Sequence, residues 1–508
     1  MEDKTTHWKN NTHPNWWMDP GLRKNTGWIV LLYFGSFAVG YDSSLMSGFQ
    51  AMPQWNKSFN NPSGVRLGLI SASLSFATIP MFPLISWVCD TYGRRWAIIL
   101  GSIGTVCSFL LSSIIVGAII TCLSKNEGMF IAGRVVTGVF YCFPYAACSC
   151  LINELAHPRL RGISAAFLTI AYQFGSAVGA WSTFACLFWE SSDWSWRLPA
   201  LLQACGPLVV VVTALLGPES PRFLLSKFKG QQALDILAKF HANGDYDDEL
   251  VQREFQQISE HIQKERANKS GSWSSLIATP ANRRRLLIVC VVASGLVVTT
   301  GPISAYLPII LRSVGIKNPI HISAVNGALA IFNVFTTMMG GLCVDKVGRR
   351  PLFLISTTGI LITYTVITIL AAEFARTQAP PLGIAFVIML FLCYGMRNIA
   401  WAGVSELYPV EILPFSIRSK AVSFGMMVTT ASTTISAFLN PIGLRSLQWR
   451  FYFVFLAIQT IYLLLIWWFF IETKGRTIEQ VSVIFDELGG DAPPGLDTES
   501  EEKDPYLS

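Results

Sequence analysis

Twelve stretches of largely apolar residues can be placed near 27–48, 67–89, 96–120, 128–150, 163–187, 196–216, 286–311, 322–343, 351–372, 382–407, 420–440 and 450–470. At about 1.5 Å of rise per residue, a helix of such a length crosses the ~30 Å hydrocarbon layer of a bilayer. Segments this long cannot leave backbone N–H and C=O groups bare in lipid, so an open chain must cross as helices. Strand-like alternation is absent. Composition agrees: 52% hydrophobic and 14% charged residues, with a mean hydropathy of +0.44 over 508 residues, is more apolar than a soluble domain needs. The expected fold is an all-α membrane protein of twelve transmembrane helices.

The charged loops between these stretches recur. Asp90-Thr91-Tyr92-Gly93-Arg94-Arg95 is echoed 255 positions later by Asp345-Lys346-Val347-Gly348-Arg349-Arg350. Glu154 stands seven residues before Arg161, and Glu411 seven before Arg418, an offset of 257. Pro218-Glu219-Ser220-Pro221-Arg222 is matched by Ile471-Glu472-Thr473-Lys474-Gly475-Arg476, the glutamates 253 apart. Three matches in one order at near-constant offset mark a duplicated unit, one six-helix bundle per copy. The expected organisation is a tail 1–26, a first bundle 27–217, a linker 218–284, a second bundle 285–471 and a tail 472–508. Within the linker, 231–240 and 249–266 carry apolar residues at three- and four-residue steps, which predicts short amphipathic helices. Their stripe of Leu234, Leu237 and Phe240 is narrow, so a loose tether is the alternative.

With the N-terminus placed inside, 27 of the 38 Lys and Arg fall on the inner side and 9 outside, leaving Arg134 and Arg397 within spans. This bias predicts that both termini are cytoplasmic. No cleavable leader is visible before the first apolar run. The eleven cysteines lack paired spacing, so neither a disulfide framework nor a zinc site is expected. No basic run interleaved with aromatics suggests nucleic acid. Asn56-Lys57-Ser58 is a glycosylation sequon on the expected outer face. A phosphate-cradling glycine loop, His-Glu-x-x-His and a nucleophile elbow are all missing, so no enzyme, cofactor or metal is expected, and energy must come from a gradient.

Spaced acids and arginines at the inner helix ends of both halves can pair in one conformation and release in another, which would shut or open that side. The candidates are Asp90, Arg94, Arg95, Glu154, Arg161, Glu219, Arg222, Asp345, Arg349, Arg350, Glu411, Arg418, Glu472 and Arg476. The alternative is that these arginines only hold their loops inside. Asp-x-x-Gly-Arg-Arg after the second span, Gly133-Arg134 in the fourth, Glu154 through Arg161-Gly162, Pro-Glu-Ser-Pro-Arg after the sixth and Glu-Thr-Lys-Gly-Arg after the twelfth together resemble the sugar-porter branch of the major facilitator superfamily. The resemblance covers nearly all of residues 27–485. Tyr408-Pro409-Val410-Glu411-Ile412-Leu413-Pro414, Arg418 and Asn440-Pro441-Ile442-Gly443 are most similar to fungal lactose and cellodextrin permeases. It implies the major facilitator fold, two bundles rocking about a central site.

Two sets of residues inside the spans carry the chemistry. Asp42 sits within the first span, where an unpaired carboxylate is costly, and Arg134 is a candidate partner. Burial favours the protonated acid and a nearby arginine the ionised one, so movement between them can exchange a proton. The resemblance implies proton symport, because symporters of the family carry Asp with Arg at these places. A permanent structural salt bridge is the alternative. For the substrate, the resemblance places the fifth-helix Gln position on Thr169, with Gln173 four residues on, and keeps the eighth-helix Asn as Asn333.

The seventh helix departs from the family pattern. Anchored on Tyr306, its three usual amides are lost and Thr299 and Thr300 remain as short polar groups. On the tenth helix the family tryptophan position falls on Glu406, with Trp401 one to two turns earlier. Arg397 lies near the middle of that span, nine residues from Glu406 and about half a turn out of phase with it. Its partner is either a bound carboxylate or another helix. The expected function is proton-coupled import of a disaccharide or sugar derivative by a monomeric carrier of the plasma membrane, its partners being substrate, protons and lipid. The alternatives are carriage or export of a sugar acid or other small metabolite, and a non-transporting sensor.

Overall fold

The computed structural model describes residues 10–103, 114–189, 192–267, 274–475, 480–481 and 483–485. Among them nine helical stretches are long and apolar enough to cross a membrane. One, Lys420–Phe469, holds two crossings, the helices Phe415–Leu447 and Tyr452–Phe469. The third and seventh crossings come in pieces. Arg94–Ile103 and Ile114–Cys122 flank undescribed residues, while Pro280–Val298 gives way to Ile303–Ser313 across a turn at Gly301 and Pro302. Gly301 takes φ +56°, and Pro302 brings no N–H, so the helix ends there. Taken with these pieces, the described residues account for twelve crossings, six in each half.

The first helix, Pro20–Ala51, starts before its apolar run, inside the segment expected as a tail. Asp19 accepts from Leu22 N at 2.9 Å and Pro20 occupies the first turn, an N-cap and a preset φ that begin a helix whatever the hydropathy. Among the described residues the linker forms the helices Pro221–Ser226, Gly230–His241, Glu249–Ala267 and the single turn Ser275–Ala278. Leu237, Ala238, Ala242 and Val251 bury a small core there with Leu234, Phe255 and Ile258 packed against it. The described cysteines are free thiols. Asn56, in the short helix Pro53–Ser58, donates its amide to the Gln50 and Met52 carbonyls, so the sequon nitrogen is engaged by backbone.

Within the first half, the first and fifth spans (Pro20–Ala51 and Arg161–Cys186) meet backbone to backbone. A Cβ on Gly40 would lie 1.8 Å from the Tyr172 carbonyl oxygen, and one on Gly175 2.0 Å from that of Phe37. Small residues of this kind let helices approach where lipid supplies no hydrophobic drive. Between the halves, Gly68 of the second span admits the Phe438 carbonyl of the eleventh, and Gly327 of the eighth lies against Trp181 of the fifth. Arg312 donates to the Gln50 and Ala51 carbonyls at 3.1 and 3.3 Å, and Arg445 to Ser63 Oγ at 3.3 Å. These cross-half bonds gather at the end away from the charged loops.

Gly40→Leu and Gly175→Leu should each destabilise the first half by about 3 kcal/mol, since no flexible neighbour can yield. Gly162→Leu, with open space around it, is the control. Monodisperse yield on size-exclusion chromatography should fall severalfold for the first two and stay level for the third. Equal yields would show that the close approach does not exist.

Candidate functional site

Asp42 and Arg134 are brought together. Arg134 Nη1 donates to Asp42 Oδ1 at 2.5 Å, and both residues are buried, at 3% and 4% exposure. Gln203 Nε2, from the sixth span, donates to the same oxygen at 2.7 Å. The sequence reading missed Gln203, whose signal was a lone amide in an apolar run. Arg134 Nε has no partner among the described residues. The cluster is a carboxylate held by one cation and one amide, all from the first half.

A second polar cluster lies where the halves meet. Gln173 Nε2 donates to Thr337 Oγ1 at 3.3 Å across them. Asn398 Nδ2 donates to Asn333 Oδ1 and Thr336 Oγ1, both at 2.8 Å. Arg397 Nη1 donates to Asn398 Oδ1 at 3.2 Å and Nη2 to the Leu296 carbonyl at 3.1 Å. Tyr172 and Tyr394 are near enough to act on the guanidinium electrostatically. Gln173, Asn333 and Arg397 therefore share one region, and Asn398, Thr336, Thr337 and Tyr172 join them unforeseen.

Other candidates go elsewhere. Thr299 and Thr300 donate their hydroxyls to Gly295 and Val297 carbonyls of their own helix, at 2.6 and 3.2 Å. Tyr306 is fully buried, its ring packed into the aromatic core of the first half while its hydroxyl donates to the Ala437 carbonyl of its own half. Trp401 is fully buried, donates to Thr357 Oγ1 at 3.2 Å and packs edge-on against Phe353 and Tyr462. Its ring fills the space that Gly295 leaves. Thr169 is part-buried one turn from Gln173. Glu406 is exposed on the helix Val404–Ile412 and accepts from Tyr145 of the fourth span.

The charged loops build the same device twice. Arg94 Nη2 meets Glu154 Oε1 at 3.0 Å and Asp90 at 3.8 Å, while Arg349 Nη2 meets Glu411 Oε1 at 2.9 Å. Glu219 accepts from Arg95 N at 3.3 Å, and Glu472 from the backbone N–H groups of Arg349 and Arg350, both at 3.0 Å. The last glutamate of each half thus caps the helix that opens with the Arg-Arg pair. Gly93 and Gly348 hold φ +102° and +106°, and a Cβ on either would lie 2.7 Å from the capping carboxylate, so both the turn and the approach require glycine.

Side chains complete the stitching. Arg95 donates to the Ala214 and Leu215 carbonyls, Arg350 to Trp467 and Arg418 to Leu413. Arg222 opens the helix Pro221–Ser226. The Asp345 side chain and Arg476 lie outside the described residues. In this conformation Arg94–Glu154 and Arg349–Glu411 each close within one half. Arg161 pairs instead with Glu254 of the linker at 3.4 Å.

The family described as "Sugar (and other) transporter" matches residues 28–485. A hexose transporter of Saccharomyces cerevisiae is 24% identical over 494 residues, covering 92% of this chain and 85% of the relative. An MFS-type transporter of Aspergillus cristatus is 28% identical over 465 residues, covering 90% and 92%. Among solved structures, the proton:xylose symporter XylE bound to 6-bromo-6-deoxy-D-glucose superposes with a TM-score of 0.70 at 20% identity, covering 91% of this chain and 99% of that one.

The linker is fastened to the first half by two histidines. His241 Nδ1 faces Glu254 Oε2 at 2.6 Å and its Nε2 faces the Leu155 carbonyl at 3.0 Å. His157, its ring 5.1 Å away, accepts from Arg159 N at 3.2 Å. Burial and the neighbouring His241 push His157 down from 6.5 to about 3. Burial works to raise the Glu254 carboxyl, but His241 and Arg161 outweigh it and hold it below 4.5. Both signs agree. A released His157 takes a proton below about pH 6.5, and a released Glu254 below about 4.5, so docking is strongest above those values and weakens as pH falls. Hydrogen-exchange protection of 231–258, corrected for intrinsic rate, should fall by up to about tenfold per pH unit below 6. It should flatten in His157→Gln. Flat protection in the unaltered protein would show that docking does not hold His157 neutral.

Proposed function

The chain belongs to the sugar transporter family, and from that premise we propose that it is a proton-coupled importer of a sugar or sugar derivative. It works as a monomer in the plasma membrane, with both termini and the 218–284 linker in the cytoplasm, by rocking the bundles 27–217 and 285–471 about the central polar cluster. The observation that carries the reading is the Asp42–Arg134–Gln203 cluster. A buried carboxylate with a single cationic partner can be neutralised in two ways, by that cation or by a proton. Rocking that loosens the Arg134 contact leaves the proton as the alternative, so protonation and conformation become linked.

The charged loops support the same cycle differently from a cross-half latch. With Arg94–Glu154 and Arg349–Glu411 tying helices inside a half, each bundle moves as a unit. The bonds that must break on rocking include the cross-half ones at Arg312 and Arg445. No carboxylate pair or nucleophile is needed for chemistry on the substrate, and the protein acts as a carrier rather than an enzyme.

In proteoliposomes, Asp42→Asn should abolish concentrative uptake, by more than about tenfold, while counterflow exchange of the same substrate persists. Exchange requires a folded, rocking protein but no net proton movement. Loss of both would favour a purely structural ion pair. Concentrative uptake at wild-type level would remove Asp42 from coupling.

A further inference from the structure

Arg397 is the cation of the central region for which the protein provides only neutral acceptors. Its Nη1 bonds the Asn398 amide oxygen and its Nη2 the Leu296 carbonyl in the last turn of Pro280–Val298. Its Nε has no partner among the described residues. Among those residues no carboxylate pairs with it, and Glu406, the other ionisable group nearby in sequence, is engaged by Tyr145. Asp42 is likewise matched already, by Arg134 and Gln203. A guanidinium in the middle of a span is expensive unless an anion or a water-filled space meets it. Arg397 is only part-buried, so it retains open space on one side. A carboxylate suits that space, since it can accept two parallel bonds from a planar fork.

The groups around Arg397 are of a second kind. Asn333, Asn398 and Thr336 come from the eighth and tenth spans, Gln173 and Tyr172 from the fifth. These are amides and hydroxyls that match a polyol, which discriminate strongly because a buried partner left unpaired is costly. We propose that the central site takes a polyhydroxylated carboxylate, an aldonate, a uronate or a cyclic polyol acid. Its carboxylate lies on the Arg397 guanidinium and its hydroxyls on Asn333, Thr336 and Gln173, with the buried Asn398 holding Asn333 and Arg397 in place. This rests on the transport reading above and names the substrate class for it.

The test uses the full-length protein in proteoliposomes with an inward proton gradient and labelled D-gluconate, D-galacturonate, D-glucose and cellobiose. Thermal unfolding of the detergent-purified protein is measured with the same four compounds. At least one acid should be taken up about tenfold better than either neutral sugar and should raise Tm. Arg397→Gln should lose acid uptake about tenfold or more, removing the preference for the acid over the neutral sugars. Arg397→Lys, which keeps the charge without the fork, should fall between them, and it serves if the glutamine variant does not fold. Uptake of neutral sugars alone, or acid uptake unchanged in Arg397→Gln, overturns the inference and leaves the transport reading standing. Acid-specific stabilisation without uptake supports the site and overturns the importer reading. Neither uptake nor stabilisation by any of the four overturns both.

Discussion

An ionised side chain held inside a hydrocarbon-embedded helix must find its counter-charge within the protein, because lipid offers none. The structure meets this demand differently at each place where it arises. Asp42 and Arg134 satisfy one another, with Gln203 completing the set. Glu406 is moved towards open space and given a phenol. The loop arginines are absorbed by helix-end carbonyls and by carboxylates of their own half. Arg397, in the middle of a span, is met by amide and carbonyl oxygens, whose dipoles compensate a full charge only in part.

The repeated loop owes its form to the same demand at the membrane surface. A helix beginning at Arg94 or Arg349 leaves backbone N–H groups bare at its start. A glutamate arriving from the far end of the bundle supplies the acceptor, and glycine is the residue that lets it come close enough. The motif therefore joins the third helix of each half to the segment that follows the sixth. Two sequence features 120 to 130 positions apart, such as Gly93 with Glu219 or Gly348 with Glu472, are one structural unit.

Much of this was legible from residue types, and the remainder was hidden for physical reasons. Apolar length and the duplicated loops disclosed the fold because both are local or periodic. Asp42 and Arg134 could be paired on paper because each is an isolated charge in an apolar run. Gln203 could not, since a neutral amide in a span has no charge to demand a partner. Glu154 and Arg161 look like a local pair, yet seven residues of helix and turn carry Arg161 round to Glu254 in the linker, while Arg94 reaches Glu154 from the next helix. Thr299 and Thr300 looked free, but a β-hydroxyl in a helix readily bonds a carbonyl one turn back, and both do. Trp401 stood among the candidates for the substrate site, and its ring occupies the space that Gly295 leaves, which a glycine in another helix cannot signal.

Coupling between the buried pair and the central cluster needs no long path. Gly40 lies two residues before Asp42 and presses its backbone on the Tyr172 carbonyl, and Tyr172 and Gln173 are the first-half groups that reach toward Arg397 and Thr337. With no side chain between the first and fifth spans there, a shift of one cannot be taken up by rotamer change and must move the other. Asp42 and the first-half groups of the central cluster, Tyr172 and Gln173, are thus carried on one seam. In the proposed cycle a change at the Asp42–Arg134 contact would displace Tyr172 and Gln173 relative to the second half, which holds Asn333, Arg397 and Asn398. A central site divided in this way, with its cation on one half and part of its amide set on the other, is completed only when the halves stand in a particular relation.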